Sequence, residues 1–252
     1  MQAYGSSFAR VYNLRWTAFA AQAAPRIRAY YESTRSGRDD PRLLDLCCGT
    51  GQLALHFLDH GYQVTGLDLS EAMLEHARAN NAVYIVAGRA RFVQGDAAGF
   101  TLKDRFGLVV STFDALNHLP DFTALAGCFR SVYRVLVDGG TFIFDLNTLH
   151  GLRRWTGVTV NDTPEMMLVV RSLFDEQQQK AYTYISGFLP GRDGLYERFE
   201  ETAYNCAFNL EAVEKSLRET GFRGVRFARE QDLHTPVGDP EAEMRIFTVA
   251  EK

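Results

Sequence analysis

The chain has 252 residues, 46% hydrophobic and 23% charged, with a formal net charge of −4. That length buries one substantial core, and the composition is that of a globular protein. No apolar run approaches the roughly 18 residues that span a bilayer, no secretory pattern opens the chain, and no Lys/Arg stripe marks a nucleic-acid surface. A cytoplasmic protein with no membrane or nucleic-acid partner is expected.

Residues 1–40 read as a helical cap, "SSFARVYNLRW" and an alanine-rich stretch, with "RSGRDDPR" (35–42) as a solvated loop. "RLLDLCC" suits a buried strand ended by Gly-Thr-Gly, and "GQLALHFLDHG" a helix with Ala54, Phe57 and Leu58 inward and Gly61 at its end. "QVTGLDL" is a second strand, and Ser70 caps the helix "EAMLEHARAN". "ARFVQGD" and "FGLVVSTF" are the third and fourth strands. A helix follows, "DFTALAGCFRSVYRVLVDGG", ended by Gly139 and Gly140, and then a fifth strand, "GTFIFDLN". Strands alternating with helices over 42–147 imply a parallel sheet covered on both faces.

The pattern changes at 148–207. "EMMLVVRSLFD", "KAYTYISGFLP" and "LYERFEETAYNCAF" are three strand-like runs with the turn "PGRDG" between the last two, an antiparallel insertion placed to cover the sheet's carboxyl edge as a lid. In 208–252 a helix capped by Asn209 precedes "VRFARE" and "RIFTVAEK", the last two strands of a seven-stranded, mostly parallel sheet. The expected fold is therefore a Rossmann-like α/β core at 41–147, closed by the last segment and carrying a β insertion.

Cys47, Cys48, Cys128 and Cys206 show no C-x-x-C or Cys/His zinc spacing and read as reduced, buried thiols. His56 and His60 lie four apart on a polar helix face, which is more simply solvated than metal-binding. No metal is expected.

A strand, a glycine turn and a helix form a nucleotide-binding element, because glycine lets the backbone approach the ligand and the helix start offers free N–H groups. Gly49-x-Gly51-x-x-Ala54 fits the loose dinucleotide pattern, and Asp68 ends the next strand, where an acid takes two ribose hydroxyls. Two further acids narrow the reading. Asp45 sits inside the first strand in L-D-L-x-x-G-T-G, and Asp96 follows the third strand, where a carboxylate accepts from an adenine amino group.

With these ordered markers, and with "YRVLVDGGTFIFD" leading into the fifth strand, the sequence resembles the class I S-adenosylmethionine-dependent methyltransferases over about 42–147. The resemblance implies S-adenosylmethionine as cofactor and S-adenosylhomocysteine as product. The loop 45–51, with Cys47, Gly49 and Gly51, would pass beneath the methionine part. Asp68 would hold the ribose, Leu69 and Met73 line the adenine pocket, Asp96 and Ala97 meet the adenine edge, and Ser111, Thr112 and Phe113 face the sulfonium. The segment "FARVYNLRW" also resembles one in aminosugar N,N-dimethyltransferases, except that Tyr12-Asn13 replaces their Tyr-Asp pair, which leaves the role of Asn13 open. Tyr12 and Trp16 either close over the cofactor or simply pack.

Methyl transfer needs alignment and dryness more than a catalytic group, so the acceptor leaves a faint trace in sequence. "STFDALNHLPDF" follows the fourth strand with Asp114, Asn117 and His118. His118 is the candidate base, or a packing histidine; Asp114 orients an amine, or caps a turn. In the insertion Arg171, Tyr182, Tyr184 and Arg198 are candidate acceptor contacts, with Tyr182 and Tyr184 on one strand face that either lines the pocket or packs on the core. The expected activity is methyl transfer to N, O or C of a small molecule, by a monomer or homodimer. An NAD-linked oxidoreductase, a non-catalytic cofactor-binding protein, and a nucleic-acid or protein methyltransferase are the alternatives.

Overall fold

The computed structural model describes residues 4–163, 166–191 and 194–252. Arg192 and Asp193, inside the expected "PGRDG" turn, and Glu165, at the start of an expected strand, lie outside the described residues. Three helices lead the chain: α1 (Ser6–Arg15), α2 (Ala18–Ser33) and α3 (Arg35–Asp39). Helix α3 replaces the expected loop, because Thr34 Oγ1 accepts from the Gly37 N–H at 3.0 Å and so starts a helical turn in a polar sequence.

The core then alternates: β1 (Arg42–Leu46), α4 (Gln52–Asp59), β2 (Gln63–Asp68), α5 (Glu71–Asn80), α6 (Ala82–Val86), β3 (Ala90–Gln94), β4 (Phe106–Ser111), α7 (Phe122–Val135) and β5 (Leu136–Asn147). Ser70 Oγ accepts from the Met73 N–H at 3.2 Å, capping α5 as expected. Helix α7 stops before the two glycines: Leu136 turns extended, is fully buried and pairs with Phe106 of β4, so the strand takes the residues the helix was expected to hold.

After α8 (Leu149–Arg153) come β6 (Gly157–Thr163), β7 (Met166–Asp175), β8 (Lys180–Pro190) and β9 (Tyr196–Cys206). The chain closes with α9 (Leu210–Thr220), β10 (Arg223–Arg229), β11 (Asp232–Pro236) and β12 (Arg245–Glu251). The main sheet runs β11-β10-β12-β5-β4-β1-β2-β3. Its β1 to β5 members pair in parallel, whereas β12, β10 and β11 pair antiparallel. It has eight strands rather than the expected seven. The extra one, β11, folds back on β10 with only Leu233 buried, and so has no apolar alternation to announce it. The second sheet has four antiparallel strands, β6-β7-β8-β9, rather than three. Strand β6 was hidden for the same reason: none of its residues is buried.

Adjacent strand residues feed opposite faces of the main sheet. Leu44, Phe142 and Phe144 pack with α7 and α9, while Leu43, Leu108 and Ile143 pack with α2 and α4. A third apolar cluster joins Phe8 and Val11 of α1, Met73 of α5, and Leu168, Ile185 and Phe199 of the second sheet. This cluster fixes the insertion over the carboxyl ends of the parallel strands. Among the described residues no helix is long and apolar enough to cross a membrane.

Candidate active site

A cavity of about 250 Å³ lies where β1, β2, β3 and β4 end, between α1 and the second sheet. Its floor is Cys47 and Gly49 after β1, Asp68 and Leu69 at the end of β2, Gly95 and Ala97 after β3, and Thr112, Phe113 and Asp114 after β4. Tyr12, Trp16 and Met73 also line it, as does His118 on the 3-10 turn Ala115–His118. A smaller adjoining cavity shares Tyr12, Trp16, Cys47, Thr112 and Phe113 and adds Asp45.

The glycine turn is held by an acid from the neighbouring strand. The Gly49 N–H donates to Asp68 Oδ2 at 2.8 Å, and the Ser70 N–H donates to Asp68 Oδ1 at 2.9 Å. Burial raises the pKa of Asp68, and the N–H groups of Ser70, Gly49 and Leu69 oppose that rise. Asn13 has a defined role here: its Oδ1 accepts from Gln52 Nε2 at 3.0 Å and from Asn80 Nδ2 at 2.8 Å. Asn80 also donates to the Thr50 carbonyl at 2.8 Å, so α1, α5 and the loop form one polar unit.

The two loop glycines differ. Gly49 (φ +53°) faces the cavity, and a Cβ there would meet the Tyr12 ring at 3.6 Å. Gly51 (φ +79°) does not line the cavity. A Cβ there would come 2.7 Å from Asn81 Nδ2 and 3.1 Å from Ala77 Cβ, so this glycine serves the packing of α4 on α5. Burial raises both the Cys47 and the Cys48 thiols well above their usual pKa, which keeps them neutral and unsuited to thiolate chemistry.

Asp45 is buried, and its Oδ2 has no hydrogen-bond partner. Burial pushes its carboxyl up to about 7, against a hydrogen bond from the Ala54 backbone and with the help of the Asp68 charge. Asp45 lines the smaller cavity, and an unpartnered buried carboxyl oxygen there fits a ligand that brings a hydrogen-bonding group. Tyr12, on α1 over the loop, has its hydroxyl pKa raised chiefly by burial and further by the Asp114, Asp68, Asp45 and Asp145 carboxyls.

The acceptor end differs from the sequence expectation. Tyr182 and Tyr184 do share a face, with ring centroids 6.4 Å apart, but it is the face turned away from the cavity. The strand pleat sends Thr183 and Ile185 inward instead. Arg171 pairs across to Tyr184 on that same outer face, and Arg198 ion-pairs with the exposed Glu200, so neither lines the cavity. Asn117 is buried and fully engaged: it donates to the carbonyls of Asn147 (3.1 Å) and Cys206 (2.9 Å) and accepts from the Asn147 N–H (2.9 Å). It joins β5 to β9 and leaves nothing for a ligand. Asp96 does not itself line the cavity, although its neighbours Gly95 and Ala97 do; it accepts from the Ala98 N–H at 2.7 Å.

The sequence reading missed Tyr4, Trp155, Thr183 and Asn205, which line the cavity. Tyr4 Oη lies 3.3 Å from His118 Nε2, and Trp155 Nε1 donates to Thr183 Oγ1 at 3.1 Å. Burial lowers the pKa of His118, opposed by the Asp114 charge and the Tyr204 backbone, so its imidazole is neutral near pH 7. Asn205 Nδ2 donates to Asp114 Oδ2 at 2.7 Å, which leaves its amide oxygen as the group able to accept from a ligand. No periodicity marks these residues, because each reaches the cavity from a different element.

Comparison with known proteins agrees with this geometry. A methyltransferase domain family matches residues 43–140. The chain is 30% identical over 215 residues to a putative methyltransferase, YqeM, of Bacillus subtilis, covering 84% of each chain. It is 35% identical over 103 residues, 41% of each, to a dTDP-3-amino-3,4,6-trideoxy-alpha-D-glucopyranose N,N-dimethyltransferase of Streptomyces venezuelae. In fold it resembles an S-adenosylmethionine-dependent methyltransferase of Clostridium acetobutylicum, with a TM-score of 0.79, 23% identity and 97% of each chain covered. The chain thus belongs to the methyltransferase family of its Bacillus subtilis relative, and its fold is the one adopted by the S-adenosylmethionine-dependent methyltransferase of Clostridium acetobutylicum.

Proposed function

We propose that the chain transfers the methyl group of S-adenosylmethionine to a small-molecule acceptor, and that the acceptor atom is an amine nitrogen. The observation that carries the reading is a cavity whose floor is Cys47, Gly49, Asp68, Leu69 and Ala97 at the ends of β1 to β3 and whose roof is Val170, Thr183, Ile185 and Ala203 of the second sheet. Asp45, Asp68, Leu69, Met73, Asp96 and Ala97 would hold the cofactor, together with Gly49, Tyr12 and Trp16. When bound, the cofactor supplies a methyl carbon activated by positive sulfur.

The chain's own residues do the rest. The roof excludes water, and the aromatic walls Tyr4, Phe8 and Trp155 orient an apolar acceptor body. With the Asp114 carboxylate held by Asn205 and Arg245, the polar groups left at this end include two hydrogen-bond acceptors, the Asn205 amide oxygen and the neutral His118. Such a set favours an N–H donor, and the His118 imidazole, which Tyr4 Oη meets at Nε2, is the group to take its proton. The Streptomyces venezuelae relative, by its name an N,N-dimethyltransferase, is in keeping with an amine.

Calorimetry with S-adenosylhomocysteine tests the cofactor reading; a folded protein with no millimolar or tighter binding ends it. Labelled methyl transfer screened over amines, phenols and enols then tests the acceptor, with turnover on amines expected. With the amine found, His118→Gln should leave S-adenosylhomocysteine affinity unchanged and slow transfer by roughly 10²-fold.

A further inference from the structure

Behind the cavity wall, one guanidinium joins two carboxylates, one on the turn after β4 and one on β5. Arg245, the first residue of β12, ion-pairs through Nη2 with Asp114 Oδ1 at 2.6 Å and through Nη1 with Asp145 Oδ2 of β5. Asp145 is fully buried, and its Oδ2 also accepts from the Asp114 N–H at 2.9 Å. The flat face of Arg245 lies over two rings, 4.8 Å from the centroid of Phe19 and 5.7 Å from that of Phe113. Those rings stack on each other at 4.9 Å, and Phe113 also meets Tyr12, which stands over Gly49.

The backbone at this point is unusual. Phe113 (φ +64°) and Asp114 (φ +50°) are consecutive non-glycine residues in the left-handed region, a conformation that persists only when the surroundings over-determine it. Both side chains line the cavity, whereas Arg245 does not. We propose that Arg245 is a positioning residue: by clamping Asp114 and Asp145 and covering Phe19 and Phe113, it holds the Phe113 and Asp114 side chains, and through them Tyr12, against the ligand cavity. A lysine cannot reproduce this, since a point ammonium neither forks between two carboxylates nor stacks on rings.

The test rests on the proposed cofactor only for its probe. S-adenosylhomocysteine affinity, melting temperature and crystal structures are compared for the wild type, Arg245→Lys, Arg245→Met and the charge-compensated Arg245→Met/Asp145→Asn. The expected result is a folded Arg245→Met with at least tenfold weaker S-adenosylhomocysteine binding and with Phe113 and Asp114 relaxed to negative φ, Arg245→Lys lying between. Should Arg245→Met fail to fold, Arg245→Lys and the double variant carry the same comparison. A lower melting temperature with affinity within twofold of wild type and the turn unmoved overturns the proposal, because Arg245 would then serve stability alone. If the wild type itself binds no S-adenosylhomocysteine, the cofactor reading fails, and the turn conformation in the variant crystals decides the clamp by itself.

Discussion

The main-chain N–H of Gly49 donates to the Asp68 carboxylate at 2.8 Å, joining the turn after β1 to the end of β2. The acid that would take the ribose therefore also holds the glycine turn. Asp68→Asn keeps the shape but replaces one accepting oxygen by an NH₂ group, so either the Gly49 or the Ser70 bond is lost. Hydrogen bonds to a charged group contribute about 1.5–3 kcal/mol, so S-adenosylhomocysteine affinity should fall roughly 10- to 100-fold by calorimetry. An unchanged affinity would remove Asp68 from the site.

The two glycines should separate in experiment. Gly49→Ala and Gly51→Ala both incur the left-handed strain, about 1–2 kcal/mol. Gly51→Ala also drives its Cβ into Asn81 and Ala77, so it should show the larger fall in melting temperature. Gly49→Ala should show the larger loss of S-adenosylhomocysteine binding at a temperature where both are folded. The opposite ranking would mean that Gly51, not Gly49, meets the ligand.

Stability should carry a pH signature from Asp45. The folded chain keeps this carboxyl protonated up to about pH 7, while the unfolded carboxyl titrates near pH 3.9. Folded protein thus binds the extra proton between those values, and the contribution of Asp45 to stability declines as pH rises through that window. Asp45→Asn removes the decline. In urea unfolding at pH 4.5, 6 and 8, the variant should gain on the wild type with rising pH, by on the order of a few kcal/mol in all. A difference that is flat with pH would show that Asp45 is ionised throughout.

Asn13 offers a milder test of the polar unit. Asn13→Ala deletes the acceptor of Gln52 and Asn80. With about 0.5–1.5 kcal/mol per bond, S-adenosylhomocysteine binding should weaken several-fold while the melting temperature moves little. Binding equal to wild type would leave the loop held by Asn80 and Asp68 alone.

The outer face of the insertion supplies a negative control. Tyr184→Ser on β8 should leave S-adenosylhomocysteine affinity and amine turnover within about twofold of wild type, because the side chain faces away from the cavity. Its neighbour Thr183→Val removes the acceptor of the Trp155 indole N–H and should weaken acceptor binding by roughly 0.5–1.5 kcal/mol. Kinetics of methyl transfer with the amine found by screening separates the two.

The sequence by itself determined the parallel core, the caps at Ser70 and Asn209, and the order of Asp45, Gly49, Asp68 and Asp96 along it, because these depend on short-range periodicity and turn chemistry. It passed over β6 and β11, whose residues bury almost nothing and so carry no alternation, and it placed the tyrosines of β8 without knowing which face looks inward. Only the tertiary structure decided that Thr183 and Ile185 look into the cavity, that Gly51 packs against α5, and that Asn117 is consumed in joining strands. It alone brought Arg245 to Asp114, 131 positions away in the chain. Local patterning records which face of an element is apolar, whereas an ion pair between β12 and the end of β4 exists only once the sheet order has made those strands near neighbours.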